Sequence, residues 1–492
     1  MVVAGQESGH VFVVHGLLEA VRYDVVVVPT DSEFNVESRW KALLPDETPK
    51  KPDDWGRGYG CSPDTDQVWF ISVHDRAPVT GDQLGRRIEA MVSEILGANR
   101  TSENKRVVIA MPVLGIGGGA QGSRRGSVVR ELLQCLTDIA RAQHVDLALV
   151  TSNLAVHSAA QHFRREDPRF TSELMDAERA SAKDLGLLAQ QGHLALFIGA
   201  GVSMAAGLPS WAGLLKNLAR EANIAEADFK SLADSPLDQA ELVWLNLQER
   251  LGSAVVKMVT GAKHVSLAHA LLAGLNAGQV VTTNYDELYE RAVEATGRPR
   301  PAVLPREQAE PDRAWLLKMH GDIADEQSIV LTRRSFVRYD ANSRPAGSLL
   351  QSLMMTKHLL VVGTSMSDDN VIRLAVEVDD FLKSDAQFGT FLDVSAPSAR
   401  TRLWEKRFRW LNCAGDDIAA RVRRMEIFLD AVGMYAAKDA SWLLDQRFTG
   451  LLEPGDEDLA KEARRISQRI RRSTSTLLRP LRDRLDDLGA GE

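Results

Sequence analysis

The stretch Leu194-Ala195-Leu196-Phe197-Ile198-Gly199-Ala200-Gly201-Val202-Ser203, continued through Gly207-Leu208-Pro209-Ser210-Trp211, decides the fold. Five apolar residues in a row are too few for a helix and read as a buried strand. Glycines follow at once, so the strand ends in a turn, Gly199–Gly207, where a backbone can come close to a pyrophosphate. Ser210 is a predicted N-cap, and the helix it opens has Trp211, Leu214, Leu215 and Leu218 on one face. Downstream, strands are predicted at Gln279–Thr283, Ser328–Thr332, His358–Val362 and Gly389–Val394, with helical stretches between them. Strand, crossover and strand in that order imply a mainly parallel, doubly wound sheet.

Upstream, Val11–Val14, Val25–Val28, Val68–Val73, Arg106–Pro112 and Leu147–Val150 are further short β-branched or apolar runs. Arg106–Pro112 leads into the glycine-rich Gly115–Gly119, and Val128, Val129, Leu132, Leu133, Leu136 and Ile139 then recur at helical spacing. Four regions are therefore expected: an α/β domain over 1–160, a charged linker over 161–189, the doubly wound domain over 190–395, and a mostly helical extension over 396–492. In the extension, Leu459, Ala463, Ile466 and Ile470, then Leu477, Leu481, Leu485 and Leu488, follow a near-heptad spacing interrupted by Pro480. That seam is expected to pack on its own chain or on a second copy.

The chain has 492 residues, a length that fits two or three domains. Charged residues make up 26% and the net charge is −8, which argues against coating nucleic acid over the whole chain. The three cysteines, Cys61, Cys135 and Cys413, lie far apart, so neither a disulfide framework nor a four-thiolate zinc site is expected. No metal ligand set is predicted. The apolar runs are too short for a membrane helix and no leader pattern opens the sequence, so the expected location is the cytoplasm.

In a doubly wound sheet, ligands bind outside the carboxyl ends of the strands. Three more elements belong on that rim: Thr282-Thr283-Asn284-Tyr285-Asp286, Lys318-Met319-His320-Gly321-Asp322 and Gly363-Thr364-Ser365-Met366. With the first glycine turn they resemble the sirtuin family, whose signatures are a Gly-Ala-Gly-x-Ser loop, a Thr-Gln-Asn-x-Asp segment, a His-Gly pair and a Gly-Thr-Ser turn, in this order. The resemblance implies a site for NAD. Gly199, Ala200, Gly201 and Ser203 would cradle its phosphates and adjacent ribose, and Trp211 would lie near the nicotinamide. Asn284 would orient the ribose or a water, with Thr283 beside it and Asp286 in support. His320 would be the base, and Gly363, Thr364 and Ser365 would meet the adenosine end. A histidine with a pKa near ~6.5 suits a proton relay at neutral pH.

The departures bear on the reaction. Sirtuin deacylases insert a zinc module with two cysteine pairs between the His-Gly and Gly-Thr-Ser elements, whereas Asp322 to Val362 here contains no cysteine. The pattern is similar to the compact, zinc-free sirtuin-like effectors of bacterial anti-phage defence, which implies hydrolysis of NAD, as substrate, to nicotinamide and ADP-ribose. The alternatives are an NAD-dependent protein deacylase and a non-catalytic NAD or ADP-ribose sensor. The first domain is similar to macro domains: Asp24 and Asp31 flank its second strand and Gly115–Gly119 stands where a diphosphate loop would be. This likeness implies an ADP-ribose-derived signal as its ligand. Homo-oligomerisation and a partner protein of a defence system are further expectations.

Overall fold

The computed structural model describes residues 8–75, 79, 81–98, 106–116, 124–396 and 399–491. They form two compact units: residues 1–19, 23–183 and 430–492 make the first, and residues 20–22 and 184–429 the second.

The first unit contains six strands, β1 (Val11–His15), β2 (Val25–Asp31), β3 (Tyr59–Ser62), β4 (Thr65–His74), β5 (Val108–Pro112) and β6 (Asp146–Thr151). They lie in the order β1-β6-β5-β2-β4-β3, and only β3 runs antiparallel to its neighbour. Helices Gly81–Ala98 and Arg125–Gln143 cover the sheet, with Ile88, Met91, Val129, Leu133 and Leu136 in its core. The second unit contains β7 (Leu194–Ile198), β8 (Gln279–Thr282), β9 (Ala302–Leu304), β10 (Trp315–Lys318), β11 (His358–Val362), β12 (Gly389–Asp393) and β13 (Phe408–Asn412). Its order is β13-β12-β11-β7-β8-β10-β9, and every pair is parallel. Strand β7 is buried at all five positions, as a central parallel strand covered on both faces must be. The chain moves outward from β7 through β8 on one side and later through β11 on the other. The topological switch point therefore falls between β7 and β11.

The predicted strand over Ser328–Thr332 does not form. Val330 makes one ladder-like bond, its N–H donating to the His320 carbonyl at 2.8 Å, and Thr332 turns the chain into helix Arg333–Val337 by accepting the Ser335 N–H. Apolar Ile329-Val330-Leu331 serves here as a connection packed over the sheet. The stretch expected to link the domains carries helices Leu154–Glu166 and Asp176–Gln190, held by buried Val156, Ala159, Ala160, Ala182 and Leu185. The sheet also runs past residue 395 to β13, and helix Ile418–Ala436 and the segments after it include residues 430–492 of the first unit. Pro480 sits in the first turn of helix Arg479–Asp487, a position where its missing N–H is harmless. Helix Pro454–Arg471 has already ended before it.

Candidate functional site

The crevice at the switch point is made by two glycine turns in direct contact. The Gly199 N–H donates to the Val362 carbonyl at 2.8 Å and the Gly201 N–H to the Gly363 carbonyl at 2.8 Å. A Cβ at Gly199 would stand 2.5 Å from the Gly363 oxygen, and one at Gly201 2.9 Å from the same atom. Gly363 has φ of +74°, and a Cβ there would fall 2.7 Å from Val202 Cγ2. All three positions thus require glycine, because the end of β7 presses against the end of β11. The turn after β7 is partly helical: one short helix, Ala200–Met204, precedes Gly207. Ser210 caps the next helix, Trp211–Glu221, by accepting the Gly213 N–H at 3.1 Å. Trp211 is half-buried at its start.

From this cradle a polar cluster passes to β8. Thr282 donates its hydroxyl to the Ile198 carbonyl at 2.7 Å and accepts the Asn284 N–H at 3.0 Å, which fixes the backbone as it leaves the sheet. Asn284 Nδ2 donates to Ser203 Oγ at 3.1 Å, and Ser203 Oγ donates to Asp286 Oδ2 at 2.8 Å. The other Asp286 oxygen accepts the Leu288 N–H at 3.0 Å. All three side chains are buried, so the chain Asn284, Ser203, Asp286 holds the amide in one orientation. Asn284 Oδ1 is left buried without a protein partner among the described residues. Neither Trp211 nor Thr283 hydrogen-bonds Asn284 or His320 among those residues. Thr364 packs on Gly199, and the Ser365 hydroxyl lies 2.7 Å from that of Ser367 at the exposed outer end of the crevice.

His320 follows β10, whose last residue pairs with Thr282. Its ring is buried, edge-on to Phe336 at 5.2 Å between centroids, and Nε2 lies 3.2 Å from Asp368 Oδ2. The angle is too poor for a hydrogen bond, so Nε2 keeps an open donor or acceptor position. Burial pulls the imidazole below its ordinary pKa, and the Asp368 carboxylate opposes that shift. A neutral ring with an unmet nitrogen is fit to accept a proton. Asp368 has two roles here: Oδ1 caps helix Asp369–Phe381 through the Asn370 and Val371 N–H groups, and Oδ2 faces His320. No signal in the sequence announces the Ser203–Asp286 link, because 83 residues separate the two partners.

In the first unit a cleft of about 1030 Å³ opens at the carboxyl ends of β2 and β5, lined by Thr30, Asp31, Leu114 and Gly115 among others. Asp31 accepts both the backbone and side-chain N–H groups of Asn35. Asp24 instead accepts the Val108 N–H at 3.0 Å and is structural. Gly117–Gly119 of the predicted diphosphate loop lie outside the described residues. Among the described residues no group of three or more His, Cys, Asp or Glu side chains could hold a metal ion, and no helix is long and apolar enough to cross a membrane.

Fold and crevice together define the second unit as a doubly wound α/β unit with a glycine-lined switch point, the architecture that takes nucleotides. Residues 278–409 match the family model of the SIR2-like domain, a span from β8 through β12 to the first residues of β13 that includes Asn284, His320 and Gly363. The chain is similar to proteins named NAD(+) hydrolase ThsA. It is 26% identical over 263 residues to the one from Bacillus cereus (strain MSX-D12), covering 52% of each chain, and 31% identical over 201 residues to the one from Enterococcus faecium, covering 38% of this chain and 40% of that one. It is 24% identical over 195 residues to Defense-associated sirtuin 2 of Bacillus subtilis, covering 38% of this chain and 19% of that one. The chain thus spans about half the length, or less, of these curated relatives.

Proposed function

We propose that the second unit binds NAD and hydrolyses its nicotinamide–ribose bond, and that the protein is a regulated NAD-depleting effector of bacterial defence against phage. The observation that carries this reading is a pair of buried polar atoms that accept or donate no hydrogen bond among the described residues, Asn284 Oδ1 and His320 Nε2, the latter facing only the Asp368 carboxylate, at adjacent strand ends beside a crevice that only glycine backbone can line. The names of the similar proteins support it. Leaving of nicotinamide makes the ribose oxocarbenium-like, so the site must hold the sugar, admit one water and take that water's proton. Asn284 orients the ribose or the water, His320 accepts the proton, and ADP-ribose and nicotinamide leave. Gly199, Ala200, Gly201 and Ser203 hold the phosphate side, and Gly363, Thr364 and Ser365 the adenosine side.

The test is nicotinamide release by the purified full chain, with and without an acetyl-lysine peptide. Release without peptide is expected. Release only with peptide would make the protein a deacylase, and binding of NAD without release in any assembly state would make it a sensor. The pH dependence is also set: His320 must be neutral to act, and burial lowers its pKa, so the acid limb of kcat/KM falls below about pH 6.5. A limb at or above that value contradicts the role.

For the first unit we infer a macro-like module for an ADP-ribose-derived signal, supported by the cleft between the ends of β2 and β5 with Asp31 and Gly115 at its edge. Carboxylates outnumber cations in the described lining, so ribose hydroxyls would be read by carboxylates and phosphates by backbone amides. Calorimetry of the full chain carrying His320→Ala, titrated with ADP-ribose, is expected to show binding that Asp31→Ala weakens about tenfold, the loss of one charged hydrogen bond. Heat unaffected by Asp31→Ala would assign the binding elsewhere. Exposed Leu459, Ile466, Leu477 and Leu481 support self-association, and a defence partner protein belongs to the same reading.

A further inference from the structure

Behind the two proposed catalytic side chains lies a charged cluster that neither the reaction nor the NAD cradle uses. Lys318, the last residue of β10, is buried, and so are Glu290 and Asp322. Its Nζ donates to the Asp286 carbonyl at 2.7 Å and the Tyr285 carbonyl at 3.3 Å, and to Asp322 Oδ1 at 3.1 Å. It lies 2.8 Å from Glu290 Oε1. The ammonium therefore joins three pieces of chain: the segment directly after Asn284, the helix Leu288–Ala295, and the turn directly after His320.

Such an arrangement is unusual for lysine, which is rarely buried unless it is paired. An apolar residue would fill the same space at the end of a parallel strand without desolvating a charge. What an apolar residue lacks is three donors in fixed directions; here they meet two carbonyls and the Asp322 carboxylate, with the Glu290 carboxylate alongside as a counter-charge. Neighbouring bonds bind the same two segments: the Ile323 N–H donates to the Tyr285 carbonyl at 3.1 Å, and the Tyr285 hydroxyl to the Val330 carbonyl at 2.9 Å. The Val330 N–H in turn donates to the His320 carbonyl. Gly321, at φ of +99°, lets the chain turn sharply between His320 and Asp322.

We propose that Lys318 is a positioning residue whose ammonium locks the Asn284 segment to the His320 turn, so that the two side chains keep one fixed separation. The catalytic consequence rests on the NAD hydrolase reading above, whereas the lock itself does not. Lys318→Met alone would leave the buried Glu290 carboxylate with only the Arg300 guanidinium at 3.9 Å as a counter-charge among the described residues, and any loss of activity could then be loss of fold. The informative variant is Lys318→Met with Glu290→Leu, which removes both members of the closest pair and leaves Asp322 facing Arg306 Nη1 at 3.4 Å.

Two measurements on the full chain decide. Hydrogen exchange of amides 283–288 in the double variant is expected to accelerate at least about tenfold relative to β7 and β11, because local opening no longer breaks the ammonium contacts. Unchanged relative exchange overturns the lock, whether or not the protein turns NAD over. Nicotinamide release is expected to fall about thirtyfold in kcat with KM within threefold, as misplacement of a catalytic pair predicts. Wild-type kcat in a stably folded double variant reduces Lys318 to a packing residue. A wild type that releases no nicotinamide in any assembly state, with faster exchange in the variant, removes the hydrolase reading and leaves the lock standing.

Discussion

On the NAD hydrolase reading, Asn284→Ala and His320→Ala are each expected to lower the rate of nicotinamide release about 10³-fold, with NAD affinity changed by less than a factor of about five. The size follows from the two atoms that make no hydrogen bond among the described residues, Asn284 Oδ1 and His320 Nε2, so their removal is expected to take away hydrogen bonds that form only when substrate and water are present. On this reading the affinity of the dinucleotide would come mostly from the glycines of the cradle, which neither substitution touches; Asn284→Ala removes one bond to Ser203 Oγ. Folding is preserved for a local reason: in Asn284→Ala the Ser203 hydroxyl still donates to Asp286, and Thr282 still caps the strand end. The measurement is steady-state kinetics beside thermal unfolding of each variant. A variant that keeps more than a tenth of the wild-type rate while unfolding at the same temperature takes its residue out of the mechanism.

Much of this site was legible because its elements are local. An all-apolar pentamer followed by glycine identifies β7 and its turn, and Gly363 after Leu359–Val362 does the same for β11. The rim follows from the rule for parallel sheets, without knowledge of any side-chain contact. Where the reading failed, the deciding forces were tertiary. Ile329-Val330-Leu331 has strand composition, yet the neighbouring position in the sheet is taken by β9, a three-residue strand too short to signal itself. Strand β13 sets exposed Arg409 and Asn412 among Phe408, Trp410 and Leu411, an edge pattern that reads equally as loop or helix. Lys318 reads as a solvent residue because its partners, Glu290 and Asp322, become visible only when β8 and β10 pair. Asp368 looks like any acidic N-cap until the fold brings His320 to its second oxygen.

Asp430→Ala destabilises the first unit by about 3–5 kcal/mol, the usual consequence of removing one partner from a buried ion pair. Asp430 lies on helix Ile418–Ala436 and is fully buried, as is Arg164, whose guanidinium grips both its oxygens. It also accepts the Val13 N–H of β1 at 3.1 Å and meets His10 Nε2 at 2.9 Å, while His10 Nδ1 lies 3.2 Å from Glu173. After truncation the guanidinium keeps Gln161, the Val11 carbonyl and the face of the Phe170 ring, so a positive charge remains inside without its carboxylate. Arg164→Met with Asp430→Leu is expected to recover most of the loss, because both charges then leave the interior together. Protection of the β1 and β6 amides from hydrogen exchange reads the effect, and a single variant within about 1 kcal/mol of wild type contradicts it.

The same cluster sets the pH response. Burial raises the Asp430 pKa, but Arg164 and His10 outweigh that and hold it at about 2. Its contribution is therefore present above the unfolded value near ~3.9 and lost as pH falls toward the folded one. Burial works against the charged form of His10 too, yet its two carboxylate partners raise it, so its contribution is complete below about 6.5 and lost as pH rises through the higher folded value. His157, buried beside His15 and Arg164, is pushed down to about 3, so stability drawn from its neutral form declines as pH falls below about 6.5. These opposed slopes put the maximum for wild type near neutrality. In Asp430→Ala, His10 retains only Glu173, and the loss of stability on the alkaline side becomes shallower than in wild type. An unchanged alkaline slope would mean that His10 draws its charge stabilisation from Glu173 and not from the aspartate that joins it to Arg164.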